Sequence, residues 1–166
     1  ASSFTGKHFC EYLRNRGETV YEASLRSRES FPICDREVNF AALNIVAPSW
    51  SYAQDYVRVN ITDQIPLWRD LSSMKLPYLH VSTPEVLGSD YKWASDFTVE
   101  TMYRPSTPYA VSRAAAEMLV KTYCNSYNFP GRTQRSDCHQ IPRDKRAAGK
   151  GDSICLQRQS SQRRRS

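Results

Sequence analysis

Short strand-like runs alternate with helix-spaced segments along the first 130 residues, and that alternation limits the fold more than any other property of the chain. Phe9, Tyr12 and Leu13 recur at helical spacing, and Gly17 follows Arg16 as a helix stop ahead of the strand-like Glu18-Thr19-Val20-Tyr21. Glu37 to Ala42 reads as a buried strand, residues 51 to 63 as a helix, and Tyr78 to Ser82 as another strand. Ser106 or Thr107 can cap a further helix with Pro108 in its first turn, where a missing N–H costs nothing. Ala114, Ala115, Met118, Leu119 and Tyr123 would form its packing face. Such a chain predicts an α/β, doubly wound (Rossmann-like) parallel sheet with helices on both faces.

Two segments concentrate chemistry. Leu79-His80-Val81-Ser82-Thr83-Pro84-Glu85 leaves a strand on a hydroxyl and a carboxylate, and Tyr109-Ala110-Val111-Ser112-Arg113 opens a helix with a phenol and a cation. Residues four apart share a helix face, so Tyr109 and Arg113 should point the same way. A guanidinium close to a phenol favours its ionised form, which suits a general base in an oxidation.

These segments resemble the extended short-chain dehydrogenase/reductase family and, within it, the nucleotide-sugar 4,6-dehydratases. The likeness is carried by Thr5-Gly6-Lys7-His8-Phe9 with Asn15-Arg16-Gly17, Asn39-Phe40-Ala41-Ala42, Val59-Asn60-Ile61, His80 to Gly88, and Pro105-Ser106-Thr107-Pro108-Tyr109 through Glu117. The resemblance implies NAD as cofactor, approached by Ser3, Gly6, Ala41, Ala42, Tyr109 and Arg113, and a nucleotide sugar as substrate. It implies Tyr109 as base at the sugar 4-hydroxyl, Thr83 as its hydrogen-bond partner and Glu85 as base at the neighbouring carbon. Asn60 matches a family asparagine that supports the active-site helix, although Asp63 replaces the usual glycine and Pro66 falls where a helix interior is expected. A homodimer through the Tyr109 helix is also implied.

Departures from the family pattern are informative. Its motif is Y-x-x-x-K, and here the cation is Arg113, which keeps the charge but changes donor geometry. Its Thr-Asp-Glu is here Thr83-Pro84-Glu85, and proline has no proton for a departing hydroxyl. Related 4-epimerase or decarboxylase chemistry is therefore a competitor. The glycine-rich turn retains only Gly6, with Ser3 at the second glycine, so NAD binding is expected to be weak. The segment between Tyr21 and Glu37 is too short for the helix, strand and helix the family would place there. Expected missing parts are the first strand and a C-terminal substrate domain, and the break after Pro130 reads more as truncation or a shifted reading frame than as an evolved tail.

Residues 131 to 166 hold 10 Lys+Arg against 3 Asp+Glu and have no Phe, Trp or Tyr. Such a tail cannot bury enough apolar surface to offset its ordering entropy, which predicts disorder and a domain boundary at 130. A non-catalytic remnant making weak, salt-sensitive contact with a polyanion through this tail is the reading from a different class. The five cysteines show no C-x-x-C pair, which argues against a metal site and for reduced thiols in a cytoplasmic protein. No apolar run has the length of a membrane span.

Overall fold

The computed structural model describes residues 4–23, 34–88, 102–134 and 153–157. Helix α1 (Phe4–Asn15) stops where Gly17 adopts φ 79°, with the Glu18 N–H closing back on the Leu13 carbonyl at 3.1 Å. Strand β1 (Thr19–Ala23) follows, and β2 (Arg36–Asn39) is the first strand of the parallel part of the sheet. The helix expected over 51–63 is shorter, and a further helix follows it. Helix α2 (Ala53–Asn60) ends at Ile61, a 3-10 turn spans Thr62–Gln64, and α3 (Ile65–Met74) starts with Pro66 in its first turn. Pro66 therefore opens a new helix instead of interrupting an old one.

Strand β3 (Tyr78–Val81) pairs parallel with β2, Val38 opposite Leu79 and Asn39 opposite His80. Helix α4 (Pro108–Tyr127) then leads through Phe129 into β4 (Gly131–Gln134), parallel to β3. Strand β5 (Ser153–Gln157) is antiparallel to both β1 and β2, giving the order β1-β5-β2-β3-β4. In a doubly wound dinucleotide fold the position between the second and fourth strands belongs to the first, running parallel. Here antiparallel β5 fills it.

Helices cover both faces, as the strand-helix alternation predicts. Phe9, Cys10 and Leu13 of α1 pack against Val20, Val38, Phe40, Leu79 and Val81. On the opposite face Leu67, Trp68 and Leu71 of α3 and Ala116 and Val120 of α4 enclose Tyr78 and Phe129. Met118, expected in the packing face, is exposed, and Ala116 and Val120 take that role.

Two stretches of the segment expected to be disordered are strands, so the sheet continues past residue 130. The reason in β4 is that its stability comes from the ladder: the Tyr78 N–H bonds Pro130 O at 3.1 Å and the Ser82 N–H bonds Gln134 O at 2.7 Å. An edge strand paired this way does not need an apolar sequence. Gly131 fits because a Cβ there would lie 2.8 Å from Cys124 Sγ and 2.9 Å from the Phe129 ring. Cys10 and Cys124 form no disulfide, whereas Cys34 is disulfide-bonded, against the expectation of reduced thiols throughout. Among the described residues no helix is long and apolar enough to cross a membrane.

Candidate active site

The predicted catalytic residues gather where the parallel strands end. Thr107, not Ser106, caps α4: its Oγ1 accepts from the Ala110 N–H at 3.1 Å, and Pro108 occupies the first turn. This fixes Tyr109 in the first turn of the helix, 6% exposed, with its ring edge-on to Tyr56 at 6.3 Å between centroids. Arg113, one turn on and 3% exposed, donates through Nη2 to the Val81 carbonyl at the end of β3. Its Nη1 meets no hydrogen-bond acceptor among the described residues. Burial lowers the guanidinium's pKa, while Tyr109, Tyr78 and Glu117 act in the opposite sense. The predicted sharing of one helix face by Tyr109 and Arg113 is realised.

Beyond β3 the chain makes a short 3-10 turn, Pro84–Leu87, which Thr83 caps by accepting from the Glu85 N–H at 3.4 Å. Pro84 sits at the start of this turn, where an N–H has no partner to lose. Glu85 is half-buried, and burial raises its carboxyl pKa. Val86 and Leu87 pack on Ala114 and Tyr103, so the turn is docked on α4. The Arg104 N–H bonds the Val86 carbonyl at 3.0 Å, and Gly88, at φ 102°, leaves no space for a side chain because a Cβ would lie 2.7 Å from Arg104 O. Thr83 and Glu85 are thus carried on a turn tied to the helix that bears Tyr109 and Arg113.

The residues expected near a cofactor are less uniform. Ser3 lies outside the described residues. Gly6 is in the first turn of α1, on the sheet face opposite α3 and α4. Ala41 and Ala42 lie two and three residues past the end of β2. The Ala41 N–H donates to Asn39 Oδ1 at 2.7 Å and its carbonyl accepts from Gln64 Nε2 at 3.0 Å, so internal bonds occupy both main-chain groups. Ala41 has no free N–H to offer a ligand, only its hydrocarbon surface and the second lone pair of its carbonyl.

Asn60 ties these parts together. It accepts from the Leu43 N–H at 2.7 Å and donates to the Leu43 carbonyl at 3.1 Å and to Ser112 Oγ at 2.9 Å, while Ser112 Oγ donates to the Tyr109 carbonyl at 2.7 Å. The loop after β2 and the first turn of α4 are therefore referenced to one fully buried amide.

A buried polar network that the sequence reading missed lies below the site. Asn39 Nδ2 and Trp68 Nε1 both donate to the Tyr78 hydroxyl at 2.9 Å, and Asn39 also reaches Gln64 Oε1 at 2.6 Å. With both lone pairs of that hydroxyl engaged, its proton must go to His80 Nδ1, 3.1 Å away. His80 is then neutral with hydrogen on Nε2, in keeping with a pKa held well below its usual value by burial and by Arg113. Burial also raises the Tyr78 pKa. The signal was available as polar residues at alternate positions in two strands, Glu37 and Asn39, Tyr78 and His80. Glu37 is 1% exposed, its oxygens have no hydrogen-bond partner among the described residues, and burial pushes its carboxyl up to about 8.

The sequence pattern of the GDP-mannose 4,6 dehydratase family matches residues 33–150. The chain belongs to that family. It is similar to the dTDP-glucose 4,6-dehydratase of Neisseria gonorrhoeae, 32% identical over 106 residues that cover 58% of this chain and 31% of the relative. The Haemophilus influenzae enzyme of the same name is 33% identical over the same shares. Among solved structures, dTDP-glucose 4,6-dehydratase from Streptomyces venezuelae with NAD bound superposes with a TM-score of 0.55 at 28% identity, covering 59% of this chain and 30% of that one. UDP-glucuronic acid 4-epimerase from Bacillus cereus, with UDP-glucuronic acid and NAD, gives 0.52 at 28% identity over 57% of this chain and 30% of that one. The chain spans about a third of the length of the curated relatives it matches. These likenesses bear out the resemblance to nucleotide-sugar dehydratases of the short-chain dehydrogenase/reductase type and the Rossmann-like fold.

Proposed function

We propose that this chain carries the oxidation centre of NAD-dependent nucleotide-sugar chemistry of the 4,6-dehydratase type. The observation that carries the reading is the placement of Tyr109 and Arg113 one turn apart on the inner face of α4, at the end of β3. The buried Arg113 Nη1, without an acceptor among the described residues, fits a ribose hydroxyl of a dinucleotide. Bound NAD would supply the hydride acceptor for C4 of the sugar and return the hydride at C6.

Tyr109 takes the proton of the sugar 4-hydroxyl, and Thr83, whose oxygen already accepts from the Glu85 N–H, donates its own proton in a bond to the same group. Glu85 removes the proton next to the ketone. A carboxyl pKa raised by burial makes it a better proton acceptor than an exposed glutamate. Water leaves without help from position 84, so elimination runs about 10² to 10⁴ slower than with a positioned acid. That deficit favours a second reading, oxidation and reduction at C4 alone as in a 4-epimerase, or the related decarboxylation. The partners in both readings are a nucleotide sugar and a second copy of the chain through α4. The basic residues of the segment 131–166 add weak polyanion contact, and the compartment is the cytoplasm.

The test is incubation of the full chain with dTDP-glucose and NAD⁺, with products separated by chromatography. A 4-keto-6-deoxy sugar supports dehydration, and the C4 epimer supports the second reading. Either product should vanish in Tyr109→Phe. Substrate recovered unchanged, with no reduced cofactor formed in a single turnover, sinks both.

A further inference from the structure

Tyr109, Arg113, Glu117 and Lys121 fall at successive four-residue steps and so make one stripe along α4. The stripe alternates phenol, cation, anion and cation. Its middle pair is the unusual part, since Arg113 is 3% exposed and Glu117 is 0% exposed. A buried charge is costly unless an opposite charge or hydrogen bonds compensate it.

Arg113 has a neutral carbonyl, that of Val81, as its hydrogen-bond acceptor. Among the described residues, the groups from neighbouring elements that act on it offer no anion at neutral pH: Tyr78 is a phenol and His80 a neutral imidazole, both from β3. Glu37 of β2 reaches Tyr78, but its carboxyl is mostly protonated. From α2, Tyr56 faces Tyr109 and brings another phenol. Among the described residues Glu117 is the carboxylate that acts on Arg113.

Glu117 is in turn held from outside the helix. The Tyr103 hydroxyl donates to its Oε2 at 2.9 Å, and Lys121 Nζ donates to that hydroxyl at 2.7 Å, lying 4.9 Å from the centroid of the same ring. Tyr103 also packs on Val86 and Leu87, in the turn that carries Glu85. A donor chain from a surface ammonium through a phenol thus ends on a carboxylate inside the catalytic helix.

We propose that Glu117 is a positioning residue, the counter-charge of Arg113, and that Tyr103 and Lys121 set how much of its charge Arg113 feels. The strength of the positive potential at Tyr109 then depends on residues two and three turns away. This rests on the reading of Tyr109 and Arg113 as the reacting pair, so one arm of the test does not use turnover.

In that arm, the folding equilibrium of the full chain is measured by denaturant unfolding for Glu117→Gln, Arg113→Met and the double variant. Each single change should lower the folding constant, and the double should lose at least about tenfold less than the product of the two. Additive losses overturn the counter-charge. If Arg113→Met does not fold, the cycle is run with Tyr103→Phe and Glu117→Gln, which must couple as well.

The second arm is the pH profile of turnover. Glu117→Gln removes a negative charge and should move the acidic limb to lower pH, with Glu117→Asp returning it. Tyr103→Phe leaves the carboxylate less shared and should move the limb to higher pH. Shifts of the same sign, or none, overturn the electrostatic role. Coupled stability without turnover in any variant, the parent included, would instead count against the proposed reaction while leaving the counter-charge supported.

Discussion

On one side of β2 the strands β3 and β4 run parallel to it, and every predicted catalytic residue lies at their carboxyl ends or on the helix packed there. On the other side β5 runs antiparallel between β2 and β1, in the place where a dinucleotide fold has its opening strand. The first side is tied by specific side-chain bonds, with Asn60, Ser112, Thr107 and Thr83 each engaging a backbone group. The second is joined by ladder pairing, by the apolar contact of α1 and by the surface ion pair of Arg14 with Glu22 at 2.7 Å. The two halves of one sheet can therefore differ in how they are built: one gathers the predicted reacting groups while the other closes in a different way.

The largest effect expected is on the half that keeps the site. Pro84→Asp should raise 4-keto-6-deoxy sugar formation by about 10² to 10⁴, because it supplies a positioned acid. The backbone should tolerate it, as the first position of a capped turn accepts aspartate readily. Product formation that stays level, with Tyr109→Phe still inactive, would show that something other than the acid limits this half.

Next in size is the buried Glu37. Its carboxyl is raised in the folded state to about 8, from 4.5, so the folded chain binds the proton more tightly. The resulting stability is full below about pH 4.5 and is lost as pH rises through about 8, a change of roughly a few kcal/mol across the window. Glu37→Gln should abolish that slope, measured by urea unfolding at a series of pH values. A slope that persists in the variant would assign it elsewhere.

The smallest effect on the site should come from the second half. Deleting residues 135–166 removes β5, and the β1 amides should lose hydrogen-exchange protection because β5 is the strand they pair with. Protection across β3 and β4 should hardly change. If β3 and β4 open together with β1, the two halves form one cooperative unit and the comparison fails.

Much of the catalytic half was legible in the sequence because its signals are local. The four-residue step from Tyr109 to Arg113, the Thr107-Pro108 start and the polar exit Thr83-Pro84-Glu85 each encode their own geometry. The strands β4 and β5 were not legible, since Gly131-Arg132-Thr133-Gln134 has no apolar alternation and is held by a ladder whose partner is distant in sequence. The second helix, α3, beyond the one read over 51–63, was signalled by Pro66 but needed the intervening turn to show how. Asn39, Tyr78 and His80 were read as parts of apolar strands, and their mutual satisfaction appears only when β2 and β3 lie side by side. The Glu117 stripe shares the four-residue step already noticed for Tyr109, yet its meaning depends on Tyr103 arriving from outside the helix.

The Asn60 amide has a consequence for how this site can change over evolutionary time. Its bonds to Leu43 and Ser112 make the strand exit of β2 a datum for the height of Tyr109, a second one beside the docking on the same helix of the turn that carries Thr83 and Glu85. The phenol and the carboxylate are thus gauged from different strands. Substitutions at the exposed side of the turn, away from Val86 and Leu87, can therefore change its chemistry while Asn60 still holds the level of the proposed base.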